Sequence, residues 1–418
     1  MGYTENLIDF IGKSTDCYHA VKTAKDRLDE NGFTELFEGD KWDVQSGGKY
    51  YVIRNSSSII AFEMPKKDFG AFMICASHTD SPSFKLKPDF EINADGCIKL
   101  SVEGYGGMIM SSWLDRPLSI SGRIVTAKDG KVETKLVNID RDLLVIPSLA
   151  IHMSRDINKG YEFNIRRDMC PIASEKNGRI EDIIAENVGV DKEEILGFDL
   201  SLYNRMRGTV LGADGEYFSA PRIDDLQCMY STLEGFLNSE SDDNVTVFAA
   251  FDNEEVGSGT KQGAKSSFLR DVLERICNNS ETYKRAVAKS FMLSCDNAHA
   301  VHPNFADKSD GTNRVYMNGG IVIKYNANQR YTTDAVSEAV VKYVCKNAGV
   351  PYQMYANRSD IPGGSTLGNL SNEKVSLNTA DIGLAQLAMH SSYETAGSRD
   401  TEYMVKMIKE FYKTEIVL

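Results

Sequence analysis

Two neighbouring glutamates, Glu254 and Glu255, follow an apolar run at residues 245–251 and precede the glycines Gly257 and Gly259. A β-branched and aromatic run bounded by turn residues is typical of a strand buried on both faces of a sheet, and such sheets bind ligands beyond the carboxyl ends of their strands. Adjacent side chains at a strand end diverge, which places one glutamate to bind a metal while the other moves a proton. The same carboxylates also fit an ordinary strand end that is exposed to solvent. A metal site is therefore indicated only if the sequence offers further ligands.

His78 and Asp80 form a second candidate pair. They follow an apolar run at residues 72–77 and lie two residues apart, which puts both side chains on the same side of an extended strand end. This arrangement suits a histidine that binds zinc and a carboxylate that orients its ring. A lone histidine is usually structural, so the pair indicates a metal site only if further candidate ligands accompany it.

Three further potential ligands also border predicted elements. Asp296 directly follows an apolar run that ends at residue 295, and His390 directly follows another that ends at residue 389. Asp224 lies just before a predicted helix. Helix capping is a rival explanation for Asp224. Together with His78 and Glu255, these residues offer nitrogen and oxygen without sulfur, a set that suits a pair of Zn, Mn or Co ions bridged by a carboxylate.

The elements that position these residues divide the chain into three parts. Residues 4–32 have helical periodicity, and helices alternate with strands after residue 224, which indicates an α/β sandwich around a mixed sheet. Short alternating segments between turns predict a β-rich insertion. We therefore expect a catalytic domain formed by residues 1–86 and 218–418 and an inserted β-rich domain at residues 87–217.

The composition is that of an ordinary acidic globular protein. Its 418 residues exceed the usual size of one hydrophobic core, which favours two domains. The net charge of -13 disfavours nucleic acid or an anionic membrane as partner, because phosphate binding needs clustered lysine and arginine. Neither a secretory signal nor an apolar run of about 18 residues is evident. The eight cysteines lack close pairs, which is typical of reduced thiols and predicts a cytoplasmic protein.

Five segments carry a family resemblance that spans nearly the whole chain. They are residues 77–80 (Ser-His-Thr-Asp), 224–226 (Asp-Asp-Leu), 251–258 (Phe-Asp-Asn-Glu-Glu-Val-Gly-Ser), 294–304 and 386–391. These segments resemble the M18 family of metalloaminopeptidases, the aspartyl aminopeptidase group. The resemblance implies a mixed-sheet zinc-peptidase core sandwiched by helices, with the β-rich insertion serving in dimerisation.

The resemblance also implies a role for each candidate ligand. His78, Asp296 and Asp224 would hold one metal ion, and Asp224, Glu255 and His390 would hold the other, so that Asp224 bridges two ions, zinc being the most expected. Glu254 would be the general base, and Asp80 would hold the ring of His78 in its metal-binding orientation.

Two further residues gain a role only through the resemblance. Lys324 matches a lysine at the specificity pocket of the family, which implies a salt bridge to an acidic substrate side chain; an ordinary strand-end lysine is the alternative. His152, in the insertion, matches a segment that reaches into the active site of a neighbouring subunit and helps to stabilise the transition state. Separating the subunits is then expected to abolish turnover.

Four residues are weaker candidates for substrate binding. His299 and His302 lie in a segment that the family keeps close to the metals, although packing under the site explains them equally well. Gly363 and Gly364 resemble a glycine loop that opens a helix, whose free amides bind a substrate backbone or a carboxylate. A plain helix start is the alternative.

These observations predict a dinuclear aminopeptidase that removes an N-terminal residue, an acidic one, from peptides with a free N-terminus. The family commonly forms tetrahedral dodecamers, which implies a homo-oligomer. Two alternatives stay open: a related dinuclear carboxypeptidase or amide deacylase, and a non-catalytic peptide-binding or cargo protein. The presence of Glu254 beside all five ligands speaks against the second alternative.

Overall fold

The computed structural model describes residues 2–175, 179–277, 279–361, 363–364 and 366–416. The helices within these ranges are α1 (Tyr3–Lys13), α2 (Cys17–Glu30), α3 (Ile165–Asp168), α4 (Ile180–Val188), α5 (Ile223–Leu237), α6 (Phe268–Ile276), α7 (Ser280–Lys289), α8 (Ala335–Ala348), α9 (Leu367–Ser371) and α10 (Asp400–Lys413). Local chemistry sets their ends. The carboxylate of Asp16, for example, accepts the first free amides of α2, and α8 ends at Gly349 in the left-handed conformation that glycine adopts without strain.

Twenty strands lie in the described part of the chain. They are β1 (Thr34–Glu35), β2 (Lys49–Arg54), β3 (Ser58–Glu63), β4 (Phe72–His78), β5 (Ser83–Ala94), β6 (Cys97–Tyr105), β7 (Leu118–Lys128), β8 (Lys131–Asn138), β9 (Ile172–Glu175), β10 (Ile195–Asn204), β11 (Thr209–Leu211), β12 (Tyr217–Ala220), β13 (Val245–Phe251), β14 (Phe291–Cys295), β15 (Ala298–His299), β16 (Ile321–Tyr325), β17 (Tyr352–Ala356), β18 (Asn378–Gly383), β19 (Ala385–Leu387) and β20 (Glu394–Gly397). They form three sheets.

The largest sheet has nine strands in the order β1-β2-β3-β13-β4-β14-β18-β16-β17. Its centre is parallel, because β13, β14 and β18 run in the direction of β4, whereas β3 and β16 pair in the opposite direction. The predicted mixed α/β architecture is confirmed. Parallel central strands end at one edge of the sheet, which is where ligands of such sheets bind.

Helices cover both faces of this sheet, as the uninterrupted apolar runs predict. Along β13, Val247 and Phe251 pack on one face with α6, α7 and α9, whereas Phe248 and Ala250 pack on the other with α1, α2, α5, α8 and α10. Successive side chains of a strand alternate between faces, so both faces of β13 must be apolar. The acidic side chains therefore come after the strand rather than within it.

A six-stranded antiparallel sheet in the order β8-β7-β10-β5-β6-β9 packs around a separate apolar core. Its strands span residues 83–204, so the domain boundary predicted at residues 86 and 87 falls inside β5. The boundary predicted at residues 217 and 218 falls inside β12, which belongs to the third sheet. The observed order of that sheet is β11-β12-β20-β19-β15, and it joins strands from both sides of that boundary.

None of the helices in the described ranges combines the length and the apolar character that a bilayer crossing needs.

Candidate metal centre

Three neighbouring parallel strands bring four predicted site residues to one edge of the nine-stranded sheet. His78 is the last residue of β4, Asp296 follows directly after β14, and Glu254 and Glu255 come shortly after β13. Since β13 and β14 flank β4 and run parallel to it, their carboxyl ends meet at this edge. These residues lie up to 218 positions apart in the sequence, and the pairing of their strands brings them close together in space.

Asp224 and His390 reach the same place by other routes. Asp224 lies at the start of α5 but has non-helical backbone angles, and the peptide bond between Asp224 and Asp225 is cis. His390 lies in a turn between β19 and β20 of the five-stranded sheet, with a left-handed φ of 66°. His390 thus follows β19, which pairs with β15 and β20 rather than with strands of the nine-stranded sheet.

The side chains form two groups that share Asp224. Nε2 of His78 lies 3.3 Å from Oδ1 of Asp224 and 3.8 Å from Oδ1 of Asp296. Nε2 of His390 lies 3.4 Å from Oδ2 of Asp224 and 3.4 Å from Oε1 of Glu255. In each group, the potential ligand atoms all lie within 4.8 Å of one another. Each oxygen of Asp224 therefore faces a different imidazole.

The chemistry of this donor set fits divalent cations. Oδ1 of Asp224 and Oε1 of Glu255 are buried and accept no hydrogen bond from the described residues. Buried carboxylates are costly unless a cation or a hydrogen-bond donor compensates them. The cluster gathers several acidic side chains around only two imidazoles and one lysine. Nitrogen and oxygen donors in this number suit zinc or a similar ion.

Glu254 is fixed through its backbone rather than through its side chain. It begins a short 3-10 turn, Glu254–Val256, and the carboxylate of Asp80 accepts the amides of Glu254 at 3.1 Å and Glu255 at 3.2 Å. Nδ1 of His78 donates to the backbone carbonyl of Asp80 at 3.1 Å and lies 3.4 Å from its carboxylate. Asp80 thus contacts both the ring of His78 and the turn that carries the two glutamates.

Burial and neighbouring charges shift the pKa values of Glu254 and Asp224 in opposite directions. Burial raises the pKa of Glu254 to about 8, and Asp296 and Asp80 act in the same direction. A carboxyl group in this range takes up and returns protons near neutral pH. Although burial opposes it, contact with His390 and His78 holds the pKa of Asp224 well below its usual value. The contact with the two histidines therefore favours the ionised form of Asp224.

A family model described as aminopeptidase I zinc metalloprotease (M18) matches residues 10–412. The chain belongs to the M18 family. The probable M18 family aminopeptidase 2 of Clostridium acetobutylicum is 45% identical over 98% of each chain. These matches show a metallopeptidase of the aminopeptidase type, and they give no support to a carboxypeptidase, a deacylase or a non-catalytic protein.

Solved structures give the same M18 fold. A chain in the cryo-EM structure of the Ape4 and Nbr1 complex has a TM-score of 0.95 and 35% identity, covering 98% of this chain and 85% of that chain. The S. cerevisiae mApe1 dodecamer has a TM-score of 0.86 and 29% identity, covering 98% of this chain and 96% of that chain. The similarity thus extends over both the nine-stranded sheet and the six-stranded sheet.

Sequence reasoning missed three residues of this M18 site. Asp225 lies in the group around His78, whose backbone amide it accepts at 3.1 Å, and burial raises its pKa well above the usual value. Glu394 accepts the amides of Asp224 at 3.1 Å and His390 at 2.7 Å. The hydroxyl of Tyr105 donates to Asp80 at 2.5 Å. Only Asp225 had a signal, since it is an acid next to Asp224.

Lys324 lies at the M18 site but is not free. Its ammonium group is buried, 3.2 Å from Oδ2 of Asp296, and donates to the carbonyl of Asn297 at 2.8 Å. It also lies 5.6 Å from the centre of the Tyr331 ring. The predicted pairing with a substrate carboxylate would therefore have to share or replace the contact with Asp296.

The remaining candidates lie outside the ligand cluster. His299, His302, Gly363 and Gly364 line one cleft of about 380 Å³. Pro362 and Ser365 of the predicted glycine loop lie outside the described residues. His152 is exposed in a turn between the six-stranded sheet and α3. Within a single chain, nothing described places His152 in contact with the metal ligands.

Proposed function

We propose that this chain is a dinuclear metal-dependent aminopeptidase that removes acidic N-terminal residues, Asp or Glu, from peptides. The observation that carries the dinuclear assignment is the position of Asp224 between two imidazoles, each with its own further carboxylates. A carboxylate with both oxygens directed at different ligand groups suits a bridging role. Zinc is the expected metal, because the family model describes a zinc metalloprotease.

The residues of the chain divide the work between binding and proton transfer. When bound, the ions supply Lewis-acid charge that polarises the scissile carbonyl and makes water more acidic. Glu254 takes the proton from the attacking water and passes it to the leaving amine. Nδ1 of His78 and Nδ1 of His390 donate to the carbonyls of Asp80 and Gly107, which leaves each Nε2 directed at the ligand cluster.

The cleft beside the ligands favours acidic substrates. Its lining includes the cationic side chains of Lys308, Arg314 and Arg358 and one acid, Asp310, although the whole chain carries a net charge of -13. Arg358 is paired with Asp360, and the three cationic groups still outnumber these two acids. A locally positive cleft in an acidic protein raises the local concentration of anionic ligands. Lys324, buried beside Asp296, supplies a further positive charge next to the ligand cluster.

A lysine substitution tests this specificity. Lys324→Met keeps the apolar stem and removes the charge, so KM for Asp-peptides and Glu-peptides is expected to rise about 10-fold to 100-fold more than KM for Leu-peptides, as for the loss of one charged hydrogen bond. Steady-state kinetics on matched peptides measure the ratio, with Lys342→Met as the control. Equal effects on both substrate types would show that Lys324 only compensates Asp296.

We further propose that the chain works as a homo-oligomer, with the tetrahedral dodecameric arrangement that the family resemblance implies. The turn around His152 exposes Leu149, Ile151 and Met153, the last with 75% of its surface accessible. An exposed apolar cluster of this kind marks a protein interface. One structural relative, S. cerevisiae mApe1, is described as a dodecamer. The proposed interface would bring His152 to a neighbouring subunit.

Mixed assemblies test whether His152 acts on a neighbour. His152→Ala and Glu254→Gln assemblies are each expected to be nearly inactive, whereas co-assembled subunits regain activity, because some sites combine an intact Glu254 with an intact neighbouring His152. The specific activity is measured for assemblies in which the two variants were co-refolded or co-expressed. The control is a mixture of the two variant enzymes that were each assembled separately before mixing. A mixture no more active than the two parents contradicts a role in trans.

A further inference from the structure

The six-stranded sheet sends one buried side chain into the metal centre. Tyr105 is the last residue of β6 and lies almost completely buried, with Nζ of Lys85 4.2 Å from the centre of its ring. The hydroxyl of Tyr105 donates to Oδ2 of Asp80 at 2.5 Å and accepts a hydrogen bond from Nδ2 of Asn253 at 2.9 Å. Both partners are buried as well.

These two partners define the turn that carries the glutamates. Asp80 accepts the backbone amides of Glu254 and Glu255, while Asn253 precedes the turn with a left-handed φ of 64°. Asparagine adopts this conformation more easily than most residues. The tyrosine hydroxyl therefore contacts both groups that hold the turn: Asn253, the residue before it, and Asp80, the acceptor of its amides.

The same segment touches the other ligand group through its backbone. A Cβ atom on Gly106 would lie 3.1 Å from Cβ of Glu255, and the carbonyl of Gly107 accepts from Nδ1 of His390. The amide of Ile109 in turn donates to the carbonyl of His390 at 3.0 Å. Residues 105–109 thus form a continuous connection between the six-stranded sheet and the ligand cluster, with Tyr105 at its start.

We infer that Tyr105 is a positioning residue for the reaction: its hydroxyl fixes Asp80 and Asn253, and through them it fixes the carboxylate of Glu254. This inference rests on the proposed role of Glu254 as the proton-transfer group. No other described side-chain hydroxyl or amide donates to the carboxylate of Asp80. Without the tyrosine hydroxyl, Oδ2 of Asp80 still accepts the hydrogen bond from the backbone amide of Glu255. Nδ2 of Asn253, in contrast, loses the acceptor of its hydrogen bond.

The first test compares two tyrosine-to-phenylalanine variants of the assembled, zinc-loaded enzyme. Tyr105→Phe is expected to lower kcat by about 10-fold to 100-fold, the usual effect of removing a residue that orients a ligand or its partner, with KM unchanged. Tyr203→Phe is the matched control, because Tyr203 is a buried tyrosine of the same sheet whose hydroxyl donates to Asn138 at 2.8 Å. Its kcat is expected to stay at the wild-type value.

Hydrogen exchange provides a readout that does not depend on turnover. In Tyr105→Phe, the amides of Glu254 and Glu255 are expected to exchange about 10-fold faster, since their acceptor is no longer held by a charged hydrogen bond. Mass spectrometry of a peptide covering residues 253–257 measures this rate. If exchange and kcat both match those of Tyr203→Phe, the inference is overturned.

A double-mutant cycle separates positioning of Glu254 from a general loss of structure. Because the hydroxyl acts through Glu254, Tyr105→Phe is expected to change kcat less than about 2-fold in a Glu254→Gln background. Multiplicative losses in the double variant contradict the inference. If Glu254→Gln alone is fully active, the proposed function fails instead. An inactive Glu254→Gln beside a fully active Tyr105→Phe overturns only the inference.

Discussion

Replacing Glu254 with glutamine is expected to lower kcat by about 100-fold to 10,000-fold, which corresponds to about 3–5 kcal/mol of transition-state stabilisation. Glutamine has the shape of glutamate but cannot accept the proton of the attacking water. The fold should be unaffected, because Asp80 holds residue 254 through its backbone amide. Steady-state kinetics on an acidic peptide measure the loss, and metal analysis of the same sample checks that zinc is retained.

Glu234→Gln is the matched control for this substitution. This substitution makes the same chemical change on α5, where the carboxylate of Glu234 pairs with Arg27 away from the ligand cluster. Its kcat is expected to remain at the wild-type value. Normal turnover in Glu254→Gln, with normal zinc content, would mean that another group moves the proton.

Replacing Asp224 with asparagine is expected to remove both bound metal and activity. Both oxygens of Asp224 face imidazole nitrogens, at 3.3 Å and 3.4 Å, so a neutral amide weakens both ligand groups at once. The loss of kcat should exceed the range of about 10-fold to 100-fold that is typical of residues that only orient a ligand. Metal content per chain should fall from two ions to one or none, as measured by mass spectrometry of the metals.

The neighbouring variant Asp225→Asn gives a sharp comparison. Asp225 accepts the amide of His78 through Oδ2, and an asparagine oxygen keeps that contact. Asparagine also keeps the size and shape of the buried side chain, so both ions are expected to remain bound. If Asp225→Asn loses metal and Asp224→Asn does not, the bridging assignment is wrong.

The central sheet was predictable because its strands are buried on both faces. Continuous apolar runs at β4, β13 and β14 admit few other structures, and the polar residues at their ends then fall on one edge. The five-stranded sheet was not predictable in this way. Its strands β15 and β19 have two and three residues, too few to show an alternating pattern, and they pair across long stretches of sequence.

The site itself was only partly readable from the sequence. His78, Asp296, Glu255 and His390 are ligand-type residues that follow apolar runs, Asp224 lies at the start of a helix, and the structure brings all five together. Tyr105 and Glu394 act through hydrogen bonds to residues more than 20 positions away or across a turn, and neither has a distinctive neighbourhood in the sequence. Contacts of this kind arise from tertiary packing, which local patterns do not encode.

Lys324 illustrates the same limit for electrostatics. In the sequence it is one lysine at the end of an apolar strand, whereas in the structure its charge is paired with Asp296, which follows β14 on the far side of β18. The strand pattern predicted where the backbone of Lys324 lies, but the partner of its ammonium group depends on how β16 packs beside the ligand cluster. Such a partner is visible only in three dimensions.

The most direct test of the dinuclear site is a crystal structure of the zinc-loaded enzyme with anomalous scattering measured at the zinc edge. Two anomalous peaks are expected, one between His78, Asp224 and Asp296 and the other between Asp224, Glu255 and His390, with the carboxylate of Glu254 bound to neither ion. A single peak, or a second peak that does not touch Asp224, would contradict the bridged pair and the separate role assigned to Glu254.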